Sequence, residues 1–276
     1  MKAALMNGDW LSKLALVLDP YERRARLTPA FLCLSPLIVM AAAMYLPQLR
    51  ALAVLSSVIG GIGLVYLLAD VARSMGKRHE KALWNGWGGS PSTQALRHRD
   101  DMLDAPTTAR YHQFLAKKIN NPFPTVQEEA TDPAAADGIY SAGCGWLREN
   151  TRDTKKFSLL FHANVTYGFR RNGYGLRWIG FLISLLIIAW VVIRRGVFQL
   201  PQRISAAPNL EAIFSADEVV TLLFAVVMLL MWLFYFSESR VREAGDSYAL
   251  RLVSACDALM PKSAPRQAPA SKKASS

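Results

Sequence analysis

Four long stretches of this sequence carry no charged side chain, and they limit its fold more than any other feature. They cover residues 27–49, 51–69, 178–193 and 219–237. A helix rises about 1.5 Å per residue, so about 20 apolar residues cross the roughly 30 Å hydrocarbon core of a membrane. A chain that is 52% hydrophobic is also too apolar for an ordinary soluble domain. We therefore predict an all-α integral membrane protein with four transmembrane helices.

The order of these stretches predicts two transmembrane hairpins with a helical domain inserted between them. Arg50 is the only charged residue between the first two stretches, and we predict a tight turn at Gln48, Leu49 and Arg50. No small-residue cleavage site follows the first stretch, so we expect it to remain as an anchor. The predicted segments are an amphipathic N-terminal helix (1–26), a first hairpin (27–70), a helical cytoplasmic domain (71–177), a second hairpin (178–237) with an outer loop (194–218), a cytoplasmic helix (238–260) and a disordered basic tail (261–276).

Positive charge is distributed unevenly between the two sides of the membrane that this arrangement defines. All but four of the 32 lysines and arginines lie on the side of the chain ends and the inserted domain, the four being Arg50, Arg194, Arg195 and Arg203. Cytoplasmic loops of membrane proteins carry such an excess of Lys and Arg. We therefore predict a multi-pass protein whose termini and inserted domain are cytoplasmic. Arg194 and Arg195 are expected to reach the outer headgroups.

The inserted domain contains start and stop signals that predict several short helices. A glycine-rich run at 84–89 interrupts the helical pattern, and serine or aspartate stands before proline at 90–91 and 132–133. Such a pair is an N-cap followed by proline at the first helical position. Between 133 and 171 the pattern predicts two helices, interrupted near 143–145.

Basic and aromatic side chains recur through this domain. Arg148, Arg152, Lys155 and Lys156 are spaced as one face of a helix. Basic groups contact phosphates and aromatic rings stack on bases, which indicates a sensor of a nucleotide or a single-stranded DNA oligomer. The alternative is that these arginines and lysines contact anionic lipid headgroups. The predicted ligand-binding residues are Arg97, Arg99, Arg148, Arg152, Lys155, Lys156, Tyr167, Arg170 and Arg171.

The predicted spans contain small and hydroxyl side chains but no ionisable group at mid-depth. A proton-coupled or ion-coupled transporter usually keeps an ionisable group there. Serine and glycine can instead line a pore formed by several copies of the chain, although glycines also simply allow helices to pack closely. The candidate pore-lining residues are Ser56, Ser57, Gly60, Gly61, Ser184 and Thr221.

The segment His98-Arg99-Asp100 is similar to the catalytic loop of protein kinases, but Ala105 stands where that loop requires asparagine. A membrane-anchored hydrolase that uses Asp100, Asp101 and His98 or His112 is an alternative function. A membrane scaffold for partner proteins is another. No pair of the three cysteines has the spacing of a metal site. We predict no catalytic residue, no metal and no cofactor.

Three blocks of the sequence resemble a bacterial membrane-protein family. They are 19–29 (DPYERRARLTP), 96–100 (LRHRD) and 167–172 (YGFRRN). The family comprises four-helix effectors of antiphage systems such as Hailong, which accompany a nucleotidyltransferase. The resemblance implies a homo-oligomeric ion channel in the bacterial inner membrane, controlled by a nucleotide or DNA-oligomer signal in the cytoplasm. Its opening would depolarise the infected cell and arrest or kill it.

Overall fold

The structure, a computed structural model, describes residues 19–56, 59–196, 205 and 213–261, and at 46–56 and 59–66 it describes the backbone alone. Every regular element in these residues is helical, which confirms the predicted fold class at that level. A π-helical turn (Glu22–Leu27) precedes α1 (Thr28–Ser56), α2 (Ile59–Gly86), α3 (Pro91–Gln94), α4 (Ala105–Ile119), α5 (Val126–Thr131), α6 (Pro133–Asn150), α7 (Ser158–Arg194), α8 (Ala216–Phe234) and α9 (Glu238–Leu259).

The chain divides into two compact units. We name Met1–Pro91 with Ser158–Ala249 the membrane unit, and Ser92–Phe157 with Leu250–Ser276 the insert unit. The insert unit is shorter than the predicted cytoplasmic domain, because α2 and α7 each continue without a break from apolar into polar sequence. A helix backbone satisfies its own hydrogen bonds in lipid and in water alike, so nothing ends it at the membrane surface.

Three helices of the described residues are long and apolar enough to cross a membrane: Glu22–Tyr45, Ser158–Arg194 and Ala216–Phe234. The apolar part of α7 exposes one stripe at helical spacing, with side chains 51–62% exposed at Trp178, Leu182, Leu186, Trp190 and Ile193. A water-soluble monomer rarely exposes so continuous an apolar surface. A lipid environment accounts for it, and the three candidate spans indicate a multi-pass membrane protein.

The first predicted turn is wrong, because α1 continues through Gln48, Leu49 and Arg50 to Ser56. The helix passes through Pro47, which membrane helices tolerate because neighbouring groups can satisfy the backbone carbonyl that proline frees. The single charge of Arg50 does not end it either. The predicted span 51–69 is therefore shared between α1 and α2, with residues 57 and 58 outside the described residues. Most of the predicted N-terminal helix, the outer loop and the basic tail also lie outside the described residues.

The breaks predicted within the inserted segment are partly confirmed. Helix α2 ends at Gly86, and Gly88 and Gly89 adopt positive φ angles of 78° and 138°. Asp132 caps α6 by accepting the backbone N–H of Ala135 at 3.0 Å. The predicted interruption near 143–145 is wrong, because α6 runs through it. Gly143 serves close packing instead, since a Cβ there would lie 2.8 Å from Cζ of Phe123.

Helix α7 is the centre of the membrane unit and packs against α1, α2, α8 and the π-helical turn. Its glycines permit these contacts. A Cβ at Gly175 would lie 2.6 Å from the backbone nitrogen of Gly76, so the backbones of α7 and α2 touch there. A Cβ at Gly180 would overlap the indole ring of Trp232 on α8. Small residues of this kind let membrane helices approach closely.

Candidate functional site

The segment that contains His98, Arg99 and Asp100 is held by ion pairs within the insert unit. Arg97 donates Nε and Nη2 to Asp137, each at 2.7 Å, and Nη1 to Asp100 at 3.0 Å. Burial alone would lower the pKa of Arg97, but the hydrogen bonds and charges of Asp137 and Asp100 raise it. The Arg97 side chain is only 4% exposed. Its guanidinium is committed to carboxylates of its own unit, although the sequence had made it a candidate ligand contact.

Glu129 on α5 is the second acceptor for this segment. It is 2% exposed and accepts the backbone N–H of His98 at 2.8 Å, Nη1 of Arg99 at 2.8 Å and the hydroxyl of Tyr140 at 2.6 Å. Burial would raise the pKa of Glu129, yet these hydrogen bonds and the charge of Arg99 lower it. Arg99 also donates to Asp137 at 3.0 Å. We call these five side chains, Arg97, Arg99, Glu129, Asp137 and Tyr140, the insert clasp.

The two histidines of the hydrolase alternative contact backbone carbonyls. Nε2 of His98 lies 3.1 Å from the Pro124 oxygen, and Nε2 of His112 lies 2.7 Å from the Leu96 oxygen. Burial lowers the pKa of His112 to about 4, so its imidazole is neutral at pH 7. In the part of the chain that the structure describes, no three His, Cys, Asp or Glu side chains are grouped so as to hold a metal ion. The histidines thus have structural partners, and the hydrolase alternative gains no support.

The four cations at 148–156 do not share a helix face, so that prediction is wrong. Helix α6 ends at Asn150 and α7 begins at Ser158. The Asp153 carboxylate accepts the backbone N–H groups of Lys155 and Lys156 at 2.9 and 3.0 Å, which favours a turn over a continued helix. We name Arg148, Arg152, Lys155 and Lys156 the basic connector. All four side chains are exposed.

Two predicted ligand contacts lie in the interior of the membrane unit. Arg171 donates to Oε1 of Glu80 at 2.9 Å, and the Tyr167 hydroxyl donates to the same oxygen at 2.9 Å. Trp84 Nε1 donates to the Tyr167 oxygen at 3.2 Å. Asn172 donates to the Ala25 carbonyl at 2.7 Å. We call Glu80, Tyr167 and Arg171 the ionic core, and it joins α2 and α7. No short-range motif could have revealed Glu80, because it lies 91 residues from Arg171 in the sequence.

Arg170 points to a different surface of the membrane unit. It donates to the Arg240 carbonyl at 3.3 Å and to Glu243 at 3.0 Å. Arg170 also lines a groove of about 370 Å³, which we call the interfacial groove. Sequence reasoning named Arg170 but missed the other lining residues, among them Arg24, Thr28, His162, Thr166 and Tyr235.

The insert unit has a pocket of its own, of about 470 Å³. Phe123 and Ile139 supply apolar walls, and Glu128 and Asp132 stand at an acidic edge. Both carboxylates already serve helix N-termini. Glu128 completes a capping box with Thr125, and Asp132 caps α6. The acidic edge is therefore accounted for by local structure.

The predicted pore-lining residues fall into two groups. Ser184 and Thr221 are buried, and their hydroxyls donate to the carbonyls of Gly180 at 2.8 Å and Asp217 at 2.7 Å. A pore lined by these hydroxyls would require the helices to separate from the present arrangement. The other four candidates lie outside the described residues or have a described backbone only: Ser56, Ser57, Gly60 and Gly61.

Arg195, which the sequence predicts at the outer headgroups, forms an ion pair within the membrane unit. Its Nε donates to Glu218 at 2.6 Å, and its Nη2 donates to the Ser215 hydroxyl at 3.1 Å. Glu218 is 2% exposed and also belongs to the capping box that begins α8. The Glu218 carboxylate therefore both caps the start of α8 and neutralises Arg195. Arg194 contacts the Tyr45 hydroxyl at 3.4 Å.

With this geometry established, the chain was compared with protein-family models, with curated proteins and with solved structures, and none of them matches it. The function must therefore be argued from the arrangement of its own residues.

Proposed function

We propose that the protein is a ligand-gated membrane effector. A nucleotide or a single-stranded DNA oligomer binds the basic connector on the cytoplasmic side, and the spans of several copies form an ion-conducting pore that responds. The observation that carries the proposal is chain continuity. The basic connector leads directly into Ser158, the first residue of α7, and α7 is both the longest apolar helix described and the centre of the membrane unit.

The basic connector suits a polyanion better than the other predicted cations do. Arg97, Arg99 and Arg171 are paired with carboxylates inside the protein. Within the described residues, Arg148, Lys155 and Lys156 form no ion pair, so a phosphate that binds them breaks none, although the Asp153 carboxylate acts electrostatically on both lysines. Arg152 pairs with Glu149, but both side chains are largely exposed, and such surface pairs contribute little.

Helix α7 provides a direct route from the connector to the spans. It has 37 residues and is about 55 Å long at the standard helical rise, so its polar first half and its apolar second half move as one rod. Its backbone touches α2 at Gly175, and its Gly180 receives Trp232 of α8. A displacement of its first turns therefore changes contacts in the membrane. A ligand controls this equilibrium only if it binds the open and closed states with different affinity.

The resemblance of three sequence blocks to antiphage effectors supplies the biological setting of the proposal. In that setting a partner nucleotidyltransferase makes the signal, and ion flow through the pore depolarises the bacterial inner membrane. The connector charges support a phosphate-bearing signal of this kind.

The test is ion flux through liposomes that contain the purified full-length protein, with ATP or a short single-stranded DNA oligomer present on both faces. We expect ligand to change the flux. The double variant Lys155→Gln/Lys156→Gln should need at least about tenfold more oligomer and show a weaker salt dependence. The matched control Lys117→Gln/Arg251→Gln removes two exposed charges elsewhere in the insert unit and should behave as wild type. Liposomes without flux under either ligand, or equal responses of the two double variants, would refute the proposal.

A further inference from the structure

We propose that the interfacial groove is a binding site for a phosphate ester that carries hydroxyl groups, taken from a phospholipid headgroup or from a soluble phosphate. The site belongs to the membrane unit and shares no residue with the basic connector. It goes beyond the gating proposal and does not depend on it. Its volume of about 370 Å³ suits a single headgroup rather than an oligomer.

Three parts of the chain build the groove. Arg24 and Thr28 come from the π-helical turn and the start of α1, His162 and Arg170 come from α7, and Tyr235 follows the last residue of α8. Among the residues that the structure describes, two arginines and one histidine line the groove and no aspartate or glutamate does, although Glu243 pairs with Arg170 beside it. An anion is therefore the ligand that this charge distribution favours.

The two arginines differ in how free they are to bind. In the part of the chain that the structure describes, the Arg24 side chain has neither an ion pair nor a hydrogen bond, and it is exposed. Arg170 is paired with Glu243, whose side chain is 72% exposed. The Arg170 side chain itself is only 19% exposed, so the exposed partner in this pair is the carboxylate. A phosphate can replace it, because water readily solvates the Glu243 carboxylate when it is released.

The polar groups of the groove also indicate what accompanies the phosphate. The hydroxyl of Thr28 donates to the Arg23 carbonyl at 2.9 Å, and the hydroxyl of Thr166 donates to the His162 carbonyl at 3.0 Å. Their protons are already used, so towards a ligand these oxygens act as acceptors. A phosphate ester with free hydroxyl groups, such as a phosphoglycerol, complements cations and acceptors together.

The groove lies where apolar helices end. Thr28 is the first residue of α1, and Tyr235 directly follows the apolar helix Ala216–Phe234. Tyrosine is enriched at the level of the lipid headgroups, where its ring meets the apolar region and its hydroxyl meets water. Phosphate groups of phospholipids lie at this level, and soluble phosphates reach it from the aqueous side.

The experiment uses the full-length protein in maltoside micelles, which contain no phosphate. One arm adds phosphatidic acid or phosphatidylglycerol, and retained lipid is counted by native mass spectrometry. The other arm adds inorganic phosphate or glycerol 3-phosphate, and the shift in thermal unfolding is measured. The variants are Arg24→Gln, the matched control Arg23→Gln, whose side chain is exposed but outside the groove, and Glu243→Gln, which frees Arg170.

We expect Arg24→Gln to weaken binding at least about tenfold, Arg23→Gln to leave it unchanged, and Glu243→Gln to strengthen it several-fold. Binding in the lipid arm alone identifies a headgroup site, and binding of glycerol 3-phosphate identifies a site for soluble phosphates. The proposal is overturned if neither arm shows binding, or if Arg24→Gln and Arg23→Gln bind equally well. This experiment measures no ion flux, so an absence of binding here does not contradict the gating proposal. Equally, liposomes that show no ion flux do not contradict a phosphate site in the groove.

Discussion

The Arg171 guanidinium donates to Oε1 of Glu80 at 2.9 Å, and both side chains are almost buried, at 9% and 14% exposed. The pair joins α7 to α2 next to the point where Gly76 and Gly175 bring their backbones into contact. The Tyr167 hydroxyl donates to the same oxygen at 2.9 Å. An ion pair in such surroundings holds two helices in one register, because each charge is left without a partner if the helices slide.

Arg171→Met should destabilise the membrane unit by roughly 3 kcal/mol, because it leaves the Glu80 carboxylate buried without its cation. The measurement is thermal or denaturant unfolding of the full chain in detergent. Lys77→Gln is the matched control on α2, since that side chain is exposed. Adding Glu80→Gln to Arg171→Met should recover part of the loss, because the uncompensated charge is then gone. A double variant that is as unstable as the sum of the two single variants would argue against this account.

Gly175→Ala should destabilise the membrane unit by about 1–3 kcal/mol through overpacking, because the added Cβ would lie 2.6 Å from the Gly76 nitrogen. Gly138→Ala on α6 is the control, because a Cβ at that position meets nothing within 4 Å. This control should stabilise the protein by roughly 0.5–1 kcal/mol, since alanine favours the helix over glycine. Unfolding midpoints of the two variants in detergent should therefore move in opposite directions.

Lowering the pH should reduce the stability of the insert unit at pH values above those at which carboxylates ordinarily take up protons. Unfolded His112 takes up a proton near its ordinary pKa of 6.5, whereas burial holds the folded pKa at about 4. The unfolded state binds more protons between these values, so stability rises with pH through this window and is lost as the pH falls from about 6.5 to 4. The loss is on the order of 2–3 kcal/mol.

Hydrogen exchange of insert-unit amides in the full-length protein, measured against pH, would show this loss. His112→Gln should flatten the pH dependence of exchange, because glutamine does not take up a proton in this range. His162→Gln is the control, since His162 is exposed. A pH profile of His112→Gln that matches wild type would contradict the assignment.

Arg97→Lys should lower the free energy of unfolding of the insert unit by about 2 kcal/mol although it keeps the positive charge. Lysine cannot reproduce the two parallel hydrogen bonds that Arg97 donates to Asp137. Arg99→Lys removes the corresponding contacts of a side chain that is 36% exposed, so the loss should be smaller. Unfolding of the two variants under identical conditions gives the comparison. Equal losses would show that burial of the guanidinium does not set the strength of the insert clasp.

Several local features of the fold could be predicted from sequence because short-range chemistry decides them. Asp132 before Pro133 begins α6, and the glycines at 86, 88 and 89 end α2. The predicted turn at 48–50 is wrong, because α1 passes through both Pro47 and Arg50 without ending. Proline is tolerated inside membrane helices, so it does not mark a turn there. The glycines at 143–145 predict an interruption of the helix, yet α6 is continuous there. Gly143 is needed instead because its missing side chain leaves room for Phe123.

The candidate sites were harder to predict, because a cation in a sequence does not reveal its partner. Arg97 and Arg148 look alike in the sequence, yet one is paired with Asp137 and the other is exposed. Arg170 and Arg171 are adjacent in the sequence, yet Arg170 lines the interfacial groove whereas Arg171 pairs with Glu80 in the ionic core. A helix turns each successive residue by about 100°, so adjacent side chains meet different surroundings.

The helical fold class and the presence of helices apolar enough to cross a membrane could be read from the sequence, because length and composition decide both. Which arginines pair with carboxylates of the chain itself depends on the tertiary structure. Glu80, Glu129 and Asp137 each lie at least 30 residues from the arginines they neutralise. Pairing across such distances depends on how the helices pack, and packing is a property of the whole folded chain.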